Sequence, residues 1–220
     1  MIKTAQIFLI VMTLLAASSL QMQAQSLRFE FILEGEPLTL SEKSSVSSIA
    51  NRTVSACRFY ISDLVFLHNK DTVAKDKTVY HLIDAEKVES CSIATTNIPE
   101  YNSICFKLGI DSITSTSGVF GGALDPTNGM YWTWQSGYIN FKLEGSFKGK
   151  DYSYHLGGYL SSESAWQNVT LPVKSGNSTI TVDLSVFFKA TPETVHSIMS
   201  PSPEAVRLSK AAADMFSLKK

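Results

Sequence analysis

The residues of this chain with the greatest chemical reach are its histidines, tryptophans and cysteines. His68, His81, His155 and His196 are the four imidazoles. In Tyr152-Ser153-Tyr154-His155-Leu156 the two-residue alternation of a strand puts His155 on the face opposite Tyr152 and Tyr154. With the tyrosines in a core, His155 faces outward or into a cleft at a sheet edge. An imidazole with a free ring nitrogen in such a place suits copper or zinc, and a surface histidine explains the same pattern. His81, in Tyr80-His81-Leu82-Ile83-Asp84, is a weaker candidate of the same kind, while His68 and His196 stand at segment ends.

Trp132 and Trp134 lie two apart in Met130-Tyr131-Trp132-Thr133-Trp134, so in a strand they share one face with Met130. That face either fills a core with indoles or sets them beside redox or metal chemistry. The cysteines are Cys57, Cys91 and Cys105, with no Cys-x-x-Cys and no Cys/His spacing of a zinc site. A hairpin of residues 90–95 and 102–108, turning about Ile98, would set Cys91 opposite Cys105 and make them the candidate disulfide. Three small buried hydrophobes is the alternative. Gly-x-Ser-x-Gly, His-Glu-x-x-His and phosphate-cradling glycine loops are absent, so no enzyme is expected. Asp125 and Asn128 read as a turn rather than a calcium seat.

The elements that must position these residues read mostly as strands. Leu27, Phe29, Phe31 and Leu33 alternate with Arg28, Glu30 and Ile32, and residues 54–67, 79–84, 138–144, 152–156, 169–173 and 179–188 also read as strands. Residues 35–53 and the Ser/Thr/Gly stretch after Ser112 read as loops. Many short strands with turn signals between them predict an all-β protein, an antiparallel β-sandwich. A short C-terminal helix is expected after Ser202-Pro203, with Ala205, Leu208, Ala212 and Met215 on one face.

At the N-terminus Lys3 precedes an apolar run from Ile7 to Ala17, with small or polar residues up to Ser26. Residues 1–25 therefore read as a secretory signal peptide, cut near Ala24 or Gln25, because the run is well short of the roughly 20 residues of a membrane span. The mature region, 26–220, is expected to be one domain, periplasmic or secreted. A formal net charge of −1 with scattered basic residues gives no footprint for nucleic acid, and no later segment is apolar enough to span a bilayer.

Five segments in order carry a resemblance to a known family. Arg58-Phe59-Tyr60-Ile61-Ser62-Asp63 is similar to a "FRFYVSDV" strand, Tyr80-His81-Leu82-Ile83-Asp84 to an "LLDFE" strand, and Phe106-Lys107-Leu108-Gly109-Ile110 to "F-x-LG-V". Met130-Tyr-Trp-Thr-Trp-Gln-Ser-Gly-Tyr138 is close to "MFWSWQ-x-GY", and Tyr154-His155-Leu156-Gly157 to "FHLG". Together they resemble the MbnP-like family of periplasmic copper-binding proteins. The resemblance implies an exported β-sandwich that carries or sequesters copper. It also implies a partner, an MbnH-like dihaem cytochrome c peroxidase that oxidises a tryptophan to kynurenine beside histidine ligands. His155 carries over from "FHLG", and Trp132 and Trp134 become neighbours of the site or oxidation targets. The family's Trp-x-His ahead of the "LLDFE" strand has no counterpart, since residues 71–77 hold neither residue type. His81 is the nearest local imidazole and stands as the second candidate ligand on its own position. The competing expectation is a metal-free binding or adhesion module that uses the aromatic stretch around Trp132 and Trp134.

Overall fold

Alternating apolar residues give the chain its strands, and a 17-residue strand at the centre gathers most of the others. The structure, a computed structural model, describes residues 25–40, 52–95, 98–133, 137–160, 162–173 and 179–219. Nearly all of the expected signal peptide lies outside them. The strands are β1 (Gln25–Leu33), β2 (Glu36–Pro37), β3 (Arg52–His68), β4 (Asp71–Lys75), β5 (Tyr80–Asp84), β6 (Ser92–Thr95) and β7 (Ser103–Leu108). After the helix α1 (Ser112–Thr116) come β8 (Tyr131–Trp132), β9 (Gly137–Phe147), β10 (Lys150–Gly157), β11 (Gln167–Pro172) and β12 (Thr179–Asp183). The chain closes with α2 (Leu184–Ala190), β13 (Ser197–Ile198), α3 (Pro203–Ala213) and β14 (Phe216–Leu218).

Two sheets face each other. The smaller runs β14-β12-β1-β2 with β6 also on β1; the larger runs β11-β7-β3-β9-β10-β13, with β4 and β5 on β3 and β8 on β9, and it curls into a half-barrel. Phe59, Phe141, Phe187 and Phe216 lie in the core between them, and the Phe59 and Phe216 rings meet edge to face at 5.3 Å. A second cluster of Tyr60, Ile110, Leu124, Met130, Trp132, Tyr138 and Ile139 covers part of the outer face of the larger sheet. Residues 110–133 form much of that cover, and their apolar side chains are the reason a central strand can be buried on both faces.

Four expectations are corrected here. The sheets are mixed rather than antiparallel, because β1 runs parallel to β12 and β10 parallel to β13. The expected strand 179–188 stops at Asp183, whose carboxylate caps α2 by accepting from Ser185 N. Leu184, Phe187 and Phe188 then fall at i, i+3 and i+4, one helical face, and all three are buried. Among the described residues of the aromatic run from Met130, only Tyr131–Trp132 are strand.

The Cys91/Cys105 hairpin does not form. The strand just after Cys91, β6, joins the smaller sheet on β1, whereas β7 joins the larger sheet between β3 and β11, and all three thiols are free. The expected C-terminal helix is present with Ser202 as its cap, the Ser202 hydroxyl accepting from Ala205 N. Ala205, Leu208 and Ala212 are buried along it, as the spacing required.

Candidate metal centre

The β9–β10 hairpin positions His155. Lys148 and Gly149 both take positive φ, 51° and 77°, the two-residue turn that matches strand twist. This turn sets the register that pairs Ser153 with Glu144, His155 with Lys142 and Leu156 with Phe141. Tyr152 and Tyr154 point inward with rings stacked at 5.3 Å, and their hydroxyls donate to Thr53 O at 2.6 Å and Val195 O at 2.7 Å. Their anchoring turns His155 to the outer face, as the alternation predicts.

On that face His155 is only 6% exposed. Its Nε2 lies 2.8 Å from Glu144 Oε1, and Lys142 Nζ lies 3.6 Å from the same oxygen. The bond from His155, aided by Lys142, holds the Glu144 carboxyl down at about 2. An ionised carboxylate can only accept, so Nε2 carries a proton, and in the neutral ring Nδ1 holds the lone pair. Nδ1 has no hydrogen-bond partner among the described residues. A carboxylate behind one ring nitrogen with the other left as donor is how proteins orient a metal-ligating imidazole.

The row continues across the sheet. Lys142 pairs with Arg58 on β3 and Arg58 with Asp84 on β5. Arg58 Nε lies 3.0 Å from Asp84 Oδ2, Nη2 lies 3.1 Å from Glu86 Oε2, and Nη1 donates to Asn128 O at 3.2 Å. Asp125 accepts from Thr127 N at 2.8 Å to cap the short turn before Gly129, which bears out the turn reading of Asp125 and Asn128.

Trp132 packs on β10 at Gly157, two residues along from His155. Gly157 follows His155 by two residues on β10 and so shares its face. A Cβ built on Gly157 would come within 2.7 Å of Trp132 Cζ3 and 2.5 Å of Tyr138 O. The indole, 5% exposed, therefore lies flush against the backbone where only glycine fits. Trp134 lies outside the described residues.

His81 is elsewhere. It pairs with Ile61, a core residue of β3, so it occupies the inner face, at the sandwich rim. Its Nε2 bonds the Asp76 carboxylate. The structure does not bring His81 and His155 together, because the sheet lies between them. Among the described residues no group of three or more His, Cys, Asp or Glu side chains is placed to hold a metal ion. The site thus supplies one oriented imidazole with a carboxylate behind it, which fits an anchoring ligand and does not fit a closed set.

Sequence reasoning missed Glu144, Lys142 and Gly157. A signal existed: alternation puts Lys142 and Glu144 on one face of the strand before a Lys-Gly turn, and His155 on the matching face after it.

The comparisons agree with this architecture. A protein-family model described as MbnP matches residues 22–201. Among solved structures, MbnP from Methylosinus trichosporium is similar, with a TM-score of 0.56 and 14% identity over 89% of this chain and 98% of that one. At that identity the likeness speaks for the fold. No curated protein sequence matches.

Proposed function

Since the chain belongs to the MbnP family, we propose that it is an exported copper-binding protein, a carrier or sequestering protein for the ion, with His155 as anchoring ligand. The observation that carries this reading is the 2.8 Å bond from His155 Nε2 to Glu144, which leaves Nδ1 as the donor. A nitrogen donor of this kind suits copper, and the remaining coordination positions fall to water or to a ligand that arrives with the ion. Trp132, against Gly157 on the same face, is the site's aromatic neighbour and the tryptophan proposed for oxidation by a dihaem partner of the cytochrome c peroxidase type.

The first test is the copper content of the mature protein isolated from its own host. Near-stoichiometric copper is expected. His155→Ala should lower affinity by about tenfold or more, and Glu144→Gln by roughly 10–100-fold, the usual effect of losing the partner behind a ligating imidazole. Negligible copper in the native protein, or unchanged affinity in His155→Ala, sinks the reading.

A second reading has one observation in its favour. Ile113, Val119, Phe120 and Leu160 are exposed apolar side chains on segments tied together where Ser112 Oγ donates to Tyr159 O at 2.7 Å and Phe120 N to Tyr138 Oη at 3.3 Å. On that reading the protein is a metal-free binding module whose working face is this apolar surface and not the expected one around Trp132, which is buried. Copper-free native protein that binds a glycan through this surface would favour it.

A further inference from the structure

A separate cleft of about 510 Å³ opens where the end of β1 meets the start of β3 and the junction of β12 with α2. Glu34, Arg52, Asp183, Ser185, Phe188 and Lys189 are among its walls. Its size lies within the range of small-molecule sites.

Arg52 dominates the cleft. Its Cζ lies 3.9 Å from the centroid of Phe147 and 3.9 Å from that of Phe188, so the guanidinium packs on two rings. Cation–π attraction to both rings restrains the group and leaves its N–H edge to meet a ligand. Among the described residues no carboxylate, carbonyl or hydroxyl accepts from that edge. Partial burial lowers the Arg52 pKa, while Glu34 and Glu193 act on it only at longer range. The side chain is therefore preorganised and half-buried with no direct acceptor among the described residues, a state that an incoming carboxylate relieves.

The other walls narrow the ligand class. Lys189 is exposed and adds a second cation, while Glu34 and Asp183 add two carboxylates. Glu34 is held by its backbone N, which donates to Ser185 Oγ at 2.6 Å, and Asp183 Oδ1 accepts from Ser185 N at 2.9 Å. A phosphate dianion would meet both carboxylates, and a simple cation would meet Arg52 and Lys189. A ligand with one charge of each sign matches the cleft.

We propose that this cleft binds an α-amino carboxylate zwitterion, a free amino acid or the oppositely charged ends of a very short peptide. The ligand's carboxylate sits on the Arg52 edge and its ammonium faces Glu34 and Asp183. This site is independent of His155 and of copper.

Isothermal titration of the mature protein with L-alanine, acetate and methylammonium tests it, with triglycine to distinguish a peptide from a free amino acid. L-Alanine or triglycine should bind at least tenfold more tightly than acetate, and methylammonium should not bind. Arg52→Gln should weaken that binding about tenfold or more, as expected for loss of hydrogen bonds to a charged group. Glu34→Gln, on an exposed residue, should weaken the zwitterion and spare acetate; it keeps the test alive if Arg52→Gln does not fold. No saturable binding of either zwitterion overturns the proposal. So does acetate binding as tightly as L-alanine, or zwitterion binding unchanged in both variants.

Discussion

Glu144 joins the site to the stability of the fold. Its carboxyl accepts from His155 Nε2 and faces Lys142, and these hold its folded pKa down at about 2, against about 4.3 for a free glutamate. A depressed carboxyl contributes stability that is complete above the unfolded value and is lost as pH falls through the folded one. The urea midpoint of the wild type should therefore exceed that of Glu144→Gln by a constant margin above pH of about 4.5. The margin should close as pH falls toward about 2. A margin independent of pH would mean that the pair does not govern the carboxyl. His155 and His81 looked alike as sequence positions, yet each has its own carboxylate, Glu144 for one and Asp76 for the other, on opposite faces.

The β9–β10 hairpin is the element that makes the site, and Gly157 is the close contact nearest to Trp132. Any side chain there meets Tyr138 O, a backbone atom that cannot swing away, as well as the Trp132 ring. Gly157→Ala should destabilise the protein by about 1–3 kcal/mol, the usual cost of overpacking a close contact. It should also change Trp132 fluorescence, because the indole must move. Urea titration followed by tryptophan emission reads both, and a variant with wild-type stability and spectrum would contradict the packing. Elements also explain the misread segment 179–188. Its alternation is real through Asp183, but the carboxylate caps a helical turn, and i, i+3, i+4 spacing serves the core equally well.

Across the whole molecule, β6 pairs with β1 in one sheet and β7 with β3 in the other, so the chain between them crosses the sandwich instead of turning back on itself. Cys91 and Cys105 end up with separate partners: Cys91 Sγ donates to Asp84 O at 3.3 Å, and Cys105 Sγ to Thr170 Oγ1 at 3.3 Å. Cys57 is fully buried, and burial pushes its thiol well up. Thiol titration without reductant should find three thiols in denaturant. In the native protein Cys57 should react only after unfolding, while the part-exposed Cys91 and Cys105 react first. A single thiol in denaturant would restore a bridge.

Much of this was legible in the residues themselves. Phe29 against Glu30 and Tyr154 against His155 show their faces by alternation alone, since a period of two is a local property of strand backbone. The Ser202 cap and the spacing of Ala205, Leu208 and Ala212 likewise show a helix from within one stretch of chain. The MbnP likeness rested on short local segments and is now matched over residues 22–201. What the tertiary structure decided is which strands meet. Parallel or antiparallel pairing, the crossing from β6 to β7, and the choice of Glu144 as the partner of His155 depend on contacts between residues distant in sequence. Register carries the physical reason: shifting one strand by one residue turns every side chain to the other face, and only the packed core selects the shift. His81 and His155 fell on opposite sides of one sheet for that reason, though each alternation was plain when read alone.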